Sequence, residues 1–178
     1  MTIKTLNMEP YGANCYLLIS GGECAVVDPG AGAQRIIQEA QGLLVKYIIL
    51  THTHYDHIGA VGEVKKSLGG VIAASEQDAQ GLTNSAMSLG GQIQAAAEKL
   101  LRDGDALRVG QETIQVIATP GHTAGGICLL CGKDLISGDT LFQGDVGRCD
   151  LPGGDWQALQ RSVKEKLYTL PDDTRVYP

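Results

Sequence analysis

Short apolar runs, each followed by turn residues, recur along this chain and limit the folds that it can adopt. Strands are predicted in these runs: Cys15 to Ile19, Cys24 to Val27, Leu43 to Leu50, Thr113 to Ile117, Ile127 to Leu130 and Leu135 to Ile136. Apolar residues at spacings of three and four predict helices at Ala33 to Glu39, Ile58 to Leu68, Gln92 to Arg102 and Trp156 to Leu167. The 24 glycines, beside one Phe and one Trp, favour tight turns between aliphatic strands, so we expect a strand-rich or mixed fold.

The length of the chain suits the core of one ordinary domain, since it has 178 residues of which 43% are hydrophobic. No linker or low-complexity segment divides it, and we expect a single domain over residues 1–178. The polar, Gly-rich stretch from Gly81 to Gly91 is predicted to be a surface loop, which either borders a site or merely connects two elements.

The charge of the chain restricts its partners. A formal net charge of -6, without a Lys/Arg cluster, would repel nucleic acid and anionic membrane surfaces, so neither is expected to bind. The N-terminal residues contain no apolar segment behind a basic stretch, and the longest apolar run is too short to span a bilayer. We therefore expect a cytoplasmic protein.

The five cysteines are an odd number in a chain without a secretion signal, and we expect reduced thiols instead of a disulfide framework. Cys128 and Cys131 form a CxxC sequence within an apolar run. Strand alternation would put their sulfurs on opposite faces, and no second pair exists, so a structural zinc site is not predicted there.

Metal-ligand residues concentrate where one predicted strand ends. The segment from His52 to His57 reads His-Thr-His-Tyr-Asp-His and holds three of the four histidines of the chain. In extended backbone alternate side chains point the same way, so His52 and His54 can bind one ion while Asp56 and His57 turn toward a neighbouring position. A lone histidine is more often a core or surface residue, but so dense a cluster favours a metal site.

Further candidates follow other predicted strands. His122 comes after a Thr-Pro-Gly turn, and Asp139 comes after a Ser-Gly turn. A carboxylate at Asp139 can bridge two cations through its two oxygens, although an Asp after Gly is by itself more often a turn residue. Asp28 precedes Pro29 and Gly30, and it either orients a ligand histidine or belongs to an Asp-Pro turn.

Together these segments carry a resemblance. The chain resembles the metallo-β-lactamase superfamily in three segments: His52 to His57, Thr119 to Thr123 and Ser137 to Thr140. The resemblance extends over nearly the whole chain. Three more stretches resemble its short bacterial, glyoxalase II-like branch of hydroxyacylglutathione hydrolases: Asn14 to Tyr16, Asp28 to Gly30 and Gly147 to Asp155, where members more often have Thr at the position of Cys149. The resemblance implies an α/β (α+β) fold, an αββα sandwich with the site along one edge of its two sheets.

The resemblance also implies a ligand set. His52, His54 and His122 would hold a first metal ion. Asp56 and His57 would hold a second, and Asp139 would bridge the two. Relatives of this kind have a final metal-binding His, in a Gly-His-Gly sequence after a segment like Thr174 to Pro178. This chain stops at Pro178, so we expect that the natural protein continues; otherwise its second site lacks a ligand.

Two ions about 3.5 to 4 Å apart would lower the pKa of a bridging water to about 7, and the resulting metal-bound hydroxide would be the nucleophile. A thiolate leaving group needs little protonation, so thioesters suit such a site. Asp56 would be catalytic as well as a ligand, because it can accept a hydrogen bond from the nucleophile. We expect hydrolysis of a small thioester such as S-lactoylglutathione, with zinc as the first choice of metal and iron or manganese also compatible.

Other functions within this fold differ in their chemistry. A persulfide dioxygenase has similar motifs and uses a mononuclear iron held by two His and one Asp, and a non-catalytic metal-binding module is a further alternative. True β-lactamases generally lack a His after the Asp of the motif, and flavodiiron proteins replace the second His by Glu, so His54, His57 and Asp139 argue against both. Nucleases of the superfamily usually carry RNA-binding regions, which the acidic charge does not support.

Longer glutathione thioesterases bind the tripeptide through an additional helical domain, which 178 residues do not accommodate. The sequence therefore leaves open both parts of the thioester. It also leaves open the oligomeric state.

Overall fold

The computed structural model describes residues 1–10, 12–91, 93 and 95–178. Its first sheet has six strands in the order β1-β2-β3-β4-β5-β6. Their bounds are Thr2–Met8 for β1, Ala13–Ser20 for β2, Glu23–Val27 for β3, Leu44–Ile49 for β4, Val71–Ser75 for β5 and Lys99–Leu101 for β6. The first three strands are antiparallel neighbours, and β3 to β6 run parallel.

The second sheet has five strands in the order β13-β10-β9-β8-β7. Their bounds are Ala106–Val109 for β7, Glu112–Ala118 for β8, Ile127–Cys131 for β9 and Asp134–Ile136 for β10, and, after a hairpin of β11 (Leu141–Phe142) and β12 (Asp145–Val146), Arg175–Tyr177 for β13. Strands β7 to β10 are antiparallel, and β13 runs parallel to β10 at one edge.

The helices are short. They are α1 (Ala33–Glu39), α2 (Tyr55–Ile58), α3 (Val61–Leu68) and α4 (Trp156–Arg161), with 3-10 turns at Ala79–Leu82, Gly138–Thr140 and Leu167–Thr169. A π-helical segment, Ser162–Lys166, extends α4. Among the described residues, no helix is both long enough and apolar enough to cross a bilayer.

Three apolar clusters show that the elements form four layers. One cluster joins the outer face of the first sheet to α1 and α3 through residues such as Ile36 and Val64. A second lies between the two sheets and contains Val27 from the first sheet and Leu129 from the second. The third joins Cys128 of the second sheet to Leu159 and Val163 on the helical side. The predicted αββα sandwich is therefore confirmed.

Most predicted elements are present, but the helix from Gln92 to Arg102 is wrong. Gln92 and Gln94 lie outside the described residues, and Lys99–Leu101 forms β6 at the edge of the first sheet. Backbone pairing with β5 and burial of Leu101 between the sheets outweigh the helical spacing of the apolar residues there. The helix expected from Ile58 to Leu68 is divided, because α2 ends at Ile58 and α3 begins at Val61.

Two smaller predictions can also be compared with the structure. The stretch from Gly81 to Gly91 is exposed around residues 83–87, but its beginning belongs to a 3-10 turn in which Gly81 and Leu82 are buried. Cys128 and Cys131 lie in different clusters, on opposite faces of the second sheet. All five cysteines are free thiols, as predicted.

Candidate metal centre

Every predicted ligand lies on a segment that follows a strand. His52 and His54 come shortly after β4, and Asp56 and His57 lie in α2. His122 belongs to the connection between β8 and β9, and Asp139 to the 3-10 turn after β10. A hydrogen bond of 2.9 Å from the Ile127 amide to the Thr51 carbonyl joins the ends of the two sheets here, so the segments meet at one edge of the sandwich.

The first group of converging side chains is His52, His54 and His122. One nitrogen of each lies within 4.8 Å of the other two, and all three side chains are buried. Their ring centroids are 4.7 to 4.8 Å apart, with the rings nearly perpendicular. His54 Nδ1 and His122 Nε2 face each other at 2.9 Å. This is the arrangement of three imidazoles around a common point.

Two nitrogens in this group have no hydrogen-bond partner among the described residues: Nε2 of His52 and Nε2 of His54 are both buried. Burial lowers the pKa of His54 to about 4 and the pKa of His52 well below its usual value, and the neighbouring histidines add to both shifts. The rings are therefore neutral near pH 7 and keep a lone pair. A buried polar atom without a partner is costly, and neutral imidazoles are the form that binds metal, so the unpaired Nε2 of His52, together with the facing Nδ1 of His54 and Nε2 of His122, fits a cation. The unpaired Nε2 of His54 is not the nitrogen that faces His122.

The second group shares His52 and adds His57 and Asp139, again with donor atoms within 4.8 Å of one another. His57 Nε2 is 3.4 Å from Asp139 Oδ1 and 3.7 Å from Asp56 Oδ2. The other oxygen of Asp139, Oδ2, is 3.4 Å from His122 Nε2. The carboxylate of Asp139 therefore spans the space between the two groups, while Asp56 lies beside the second.

Asp28 orients His57. His57 Nδ1 donates a hydrogen bond to Asp28 Oδ2 at 3.0 Å, which leaves Nε2 directed at the second group. Thr51 holds the carboxylate in place, because its amide donates to Oδ1 at 2.8 Å and its hydroxyl donates to Oδ2 at 2.5 Å. Asp28 also has a positive φ of 49° before Pro29, so it is both a turn residue and the partner of a candidate ligand.

The carboxylates make the second group favourable for positive charge. Burial alone would lower the pKa of His57, but Asp28 and Asp139 outweigh it and hold that pKa well above its usual value. Burial likewise would raise the pKa of Asp139, yet the hydrogen bond from His57 and the nearby histidines lower it. This local field stabilises a proton on His57, and it would equally stabilise a cation.

Sequence patterns did not identify every contact at the site. The backbone carbonyl of Arg148 accepts a hydrogen bond of 2.8 Å from His122 Nδ1, which leaves His122 Nε2 free to face the other donors. A backbone oxygen has no side-chain signature, although Arg148 lies in one of the stretches that carried the resemblance. Thr51 was visible in the histidine segment, but only its contacts show that it holds Asp28.

The family is settled by comparison of this sequence with family models. The model of the metallo-beta-lactamase superfamily matches residues 8–178. The chain belongs to this superfamily.

Two curated members illustrate the range of names among its relatives. "Probable metallo-hydrolase YqgX" of Bacillus subtilis is 35% identical over 99% of this chain and 88% of its own length. "Hydroxyacylglutathione hydrolase GloC" of Haemophilus influenzae is 33% identical, over 97% of this chain and 87% of its own.

Solved structures of similar proteins have the same fold. BLEG-1, named a B3 metallo-beta-lactamase, superimposes with a TM-score of 0.91 at 33% identity, over 98% of this chain and 90% of its own. ETHE1 from Myxococcus xanthus superimposes with a TM-score of 0.84 at 30% identity, over 100% of this chain and 75% of its own. TTHA1623, solved in a di-iron-bound form, superimposes with a TM-score of 0.83 at 33% identity, over 98% of this chain and 90% of its own. The αββα sandwich thus holds two metal ions in at least one similar protein.

The second group opens onto a cavity. It has a volume of about 330 Å³ and reaches the second group on the side of Asp56, His57 and Asp139. Asn14, Tyr16 and Phe142 line the rest of it, among others. The side chain of Asp56 is 25% exposed, whereas that of His57 is 5% exposed, so Asp56 is the more accessible of the two from this cavity.

Proposed function

We propose that this chain is a metal-dependent hydrolase that cleaves a small thioester, such as S-lactoylglutathione or a related hydroxyacyl thioester. The observation that carries the proposal is the position of Asp139, whose two oxygens face His57 and His122 separately beside an open cavity. Membership of a superfamily with members named metallo-hydrolase supports the hydrolytic part, and the relative named GloC supports the thioester.

The side chains divide into two ligand sets. We assign the first ion to His52, His54 and His122, and the second to Asp56 and His57, with Asp139 bridging. When bound, such cations polarise the thioester carbonyl and lower the pKa of a water molecule. The choice of zinc is part of the proposal, because His and carboxylate donors also suit iron and manganese, and TTHA1623 was solved with iron.

The residues of the chain supply orientation and proton transfer. Asp28 holds the proton of His57 on Nδ1, and the Arg148 carbonyl holds that of His122 on Nδ1, so both Nε2 atoms point at the site. Asp56 lines the cavity, and in this proposal its carboxylate accepts a hydrogen bond from the attacking water. The thiolate leaving group of a thioester needs little protonation, so the proposal requires no strong acid at the site.

Thioester turnover before and after metal removal tests this proposal. Release of glutathione from S-lactoylglutathione is followed with a thiol reagent in protein as purified, after stringent chelation, and after zinc is restored. We expect activity to disappear with the metal and to return with zinc. Equal rates before and after chelation would contradict a metal-dependent mechanism.

A mononuclear iron dioxygenase is the second candidate, because the group His52, His57 and Asp139 has the two-histidine, one-carboxylate composition of iron oxygenases. Iron-loaded protein that consumes oxygen with glutathione persulfide, and leaves the thioester intact, would favour it. A chromogenic β-lactam belongs in the same assay, since BLEG-1 is named a β-lactamase. Metal binding without turnover of any of these would favour a non-catalytic module.

A further inference from the structure

Asp78 is a buried carboxylate that contacts the loop of His122. It follows β5, and only 6% of its surface is exposed. Its Oδ2 accepts a hydrogen bond of 2.6 Å from the hydroxyl of Thr123, the residue after His122. Its Oδ1 accepts one of 2.9 Å from the amide of Gly125. Both oxygens therefore hold the loop immediately beyond a candidate ligand.

The main chain of Asp78 holds the other histidine segment. Thr53, which lies between His52 and His54, donates a hydrogen bond of 2.9 Å from its hydroxyl to the Asp78 carbonyl. Thr53 is itself buried and packs so closely on the following 3-10 turn that a Cβ at Gly81 would overlap its hydroxyl. One residue thus contacts both segments that supply the first histidine group.

The contact between Asp78 and Gly125 leaves no space for a larger residue at position 125. A Cβ built at Gly125 would lie 2.6 Å from both the amide and Oδ1 of Asp78, so only glycine fits. Burial raises the pKa of Asp78, and the hydrogen bonds from Thr123 and Gly125 oppose that rise. A buried carboxylate that depends on these two donors keeps them at fixed distances.

We propose that Asp78 is a positioning residue that sets the spacing of His54 and His122 before an ion binds. It touches neither imidazole and acts through Thr53 and Thr123. The spacing that it maintains is the 2.9 Å between His54 Nδ1 and His122 Nε2. Ligands that are held in place beforehand lose less conformational entropy on binding, so the affinity for metal should depend on Asp78. This inference rests on the metal site proposed above.

The experiment measures zinc affinity of the full chain by competition with a chromophoric chelator, with folding checked by circular dichroism. Asp78→Ala should bind zinc about tenfold more weakly than wild type. Loss of a residue that holds a metal ligand in place typically lowers metal affinity by about 10- to 100-fold, and this is the lower end of that range. Asp78→Asn should stay close to wild type, since its amide can still accept from Gly125 and donate to Thr123.

Asp134→Ala is the matched control. Asp134 is 7% exposed, and its oxygens accept hydrogen bonds of 2.6 and 2.8 Å from Arg175, on β13. Its removal should lower stability and leave zinc affinity unchanged. Folded Asp78→Ala with wild-type zinc affinity would overturn the inference, and so would an equal loss of affinity in Asp134→Ala.

A second variant decides the case if Asp78→Ala does not fold. Thr123→Val removes one donor and preserves the shape of the side chain, so weaker zinc binding by this variant supports the inference, and unchanged binding overturns it. Failure of the proposed function looks different, because wild type would then either not bind zinc in this titration or bind zinc without turning over the thioester.

Discussion

His57 and Asp28 are joined by a hydrogen bond of 3.0 Å between Nδ1 and Oδ2, although 29 positions separate them in the chain. The bond keeps the imidazole proton of His57 on Nδ1 and directs Nε2 toward Asp56 and Asp139. Asp28 is itself held by Thr51. The orientation of one candidate ligand thus depends on a chain of contacts that begins in the loop of the histidine motif.

Asp28→Ala should weaken metal binding on the side of His57. The change leaves His57 Nδ1 and the Thr51 amide without their acceptor, so we expect a loss of about 10- to 100-fold in affinity for the second ion and about 1 to 3 kcal/mol in the free energy of unfolding. Metal titration and urea denaturation measure the two effects. Asp173→Ala, at an exposed ion pair with Lys133, should change neither. A second ion bound as tightly as in wild type would contradict the role of Asp28.

Asp56→Asn should lower kcat for the thioester by about 10²- to 10⁴-fold, because the amide is a poor proton acceptor. An increase in KM without a change in kcat would instead indicate a binding role. Steady-state kinetics of thiol release at saturating metal separates the two outcomes. The exposed Asp145, in the small hairpin, provides the control Asp145→Asn, which should retain wild-type kcat.

Asp139→Ala should cost more than the affinity for one metal ion, because its two oxygens face two different histidines. Wild type is expected to hold about two ions and the variant fewer, with thioesterase activity lower by orders of magnitude. Elemental analysis and turnover give the readouts. Unchanged metal stoichiometry and turnover would show that Asp139 is only a turn residue.

Zinc should stabilise the folded protein through the first histidine group. Free zinc at about 100 times its Kd adds about 2.7 kcal/mol to the free energy of unfolding, or roughly 5 to 10 °C in Tm for a chain of this size. Thermal melts with and without zinc should show this shift in wild type and in Asp173→Ala. His54→Ala should lose it, since one of the converging nitrogens is removed. The same shift in His54→Ala would show that zinc binds at another site.

Two glycines provide opposite predictions about stability. A Cβ at Gly30 would overlap the carbonyl of Asp56, so Gly30→Ala should destabilise the fold by about 1 to 3 kcal/mol and displace α2 with its two candidate ligands. Gly62 lies in α3, and apart from its chain neighbours and the backbone of its own helix no atom lies within 4 Å of an added Cβ. Gly62→Ala should therefore stabilise the fold by about 0.5 to 1 kcal/mol. Chemical denaturation of both variants checks the pair. Equal stability of the two would contradict the close approach at Gly30.

The sequence determined the features that depend on local spacing. Alternation in extended backbone was enough to put His52 and His54 on one side, and the apolar runs located the strands that carry the site. Strand alternation likewise separated Cys128 from Cys131. Such patterns are properties of neighbouring residues, which is why they can be predicted without knowledge of the fold.

Tertiary structure decided the partners of those residues. Lys99–Leu101 became a strand because β5 offers it a pairing edge, and the helical spacing of its apolar residues did not decide its conformation. Asp28 became the partner of His57, and Asp78 the link between Thr53 and Thr123, because two sheets bring distant segments to the same edge. A hydrogen bond depends on distances of about 3 Å between atoms. Only the packing of the whole chain sets those distances for residues far apart in sequence.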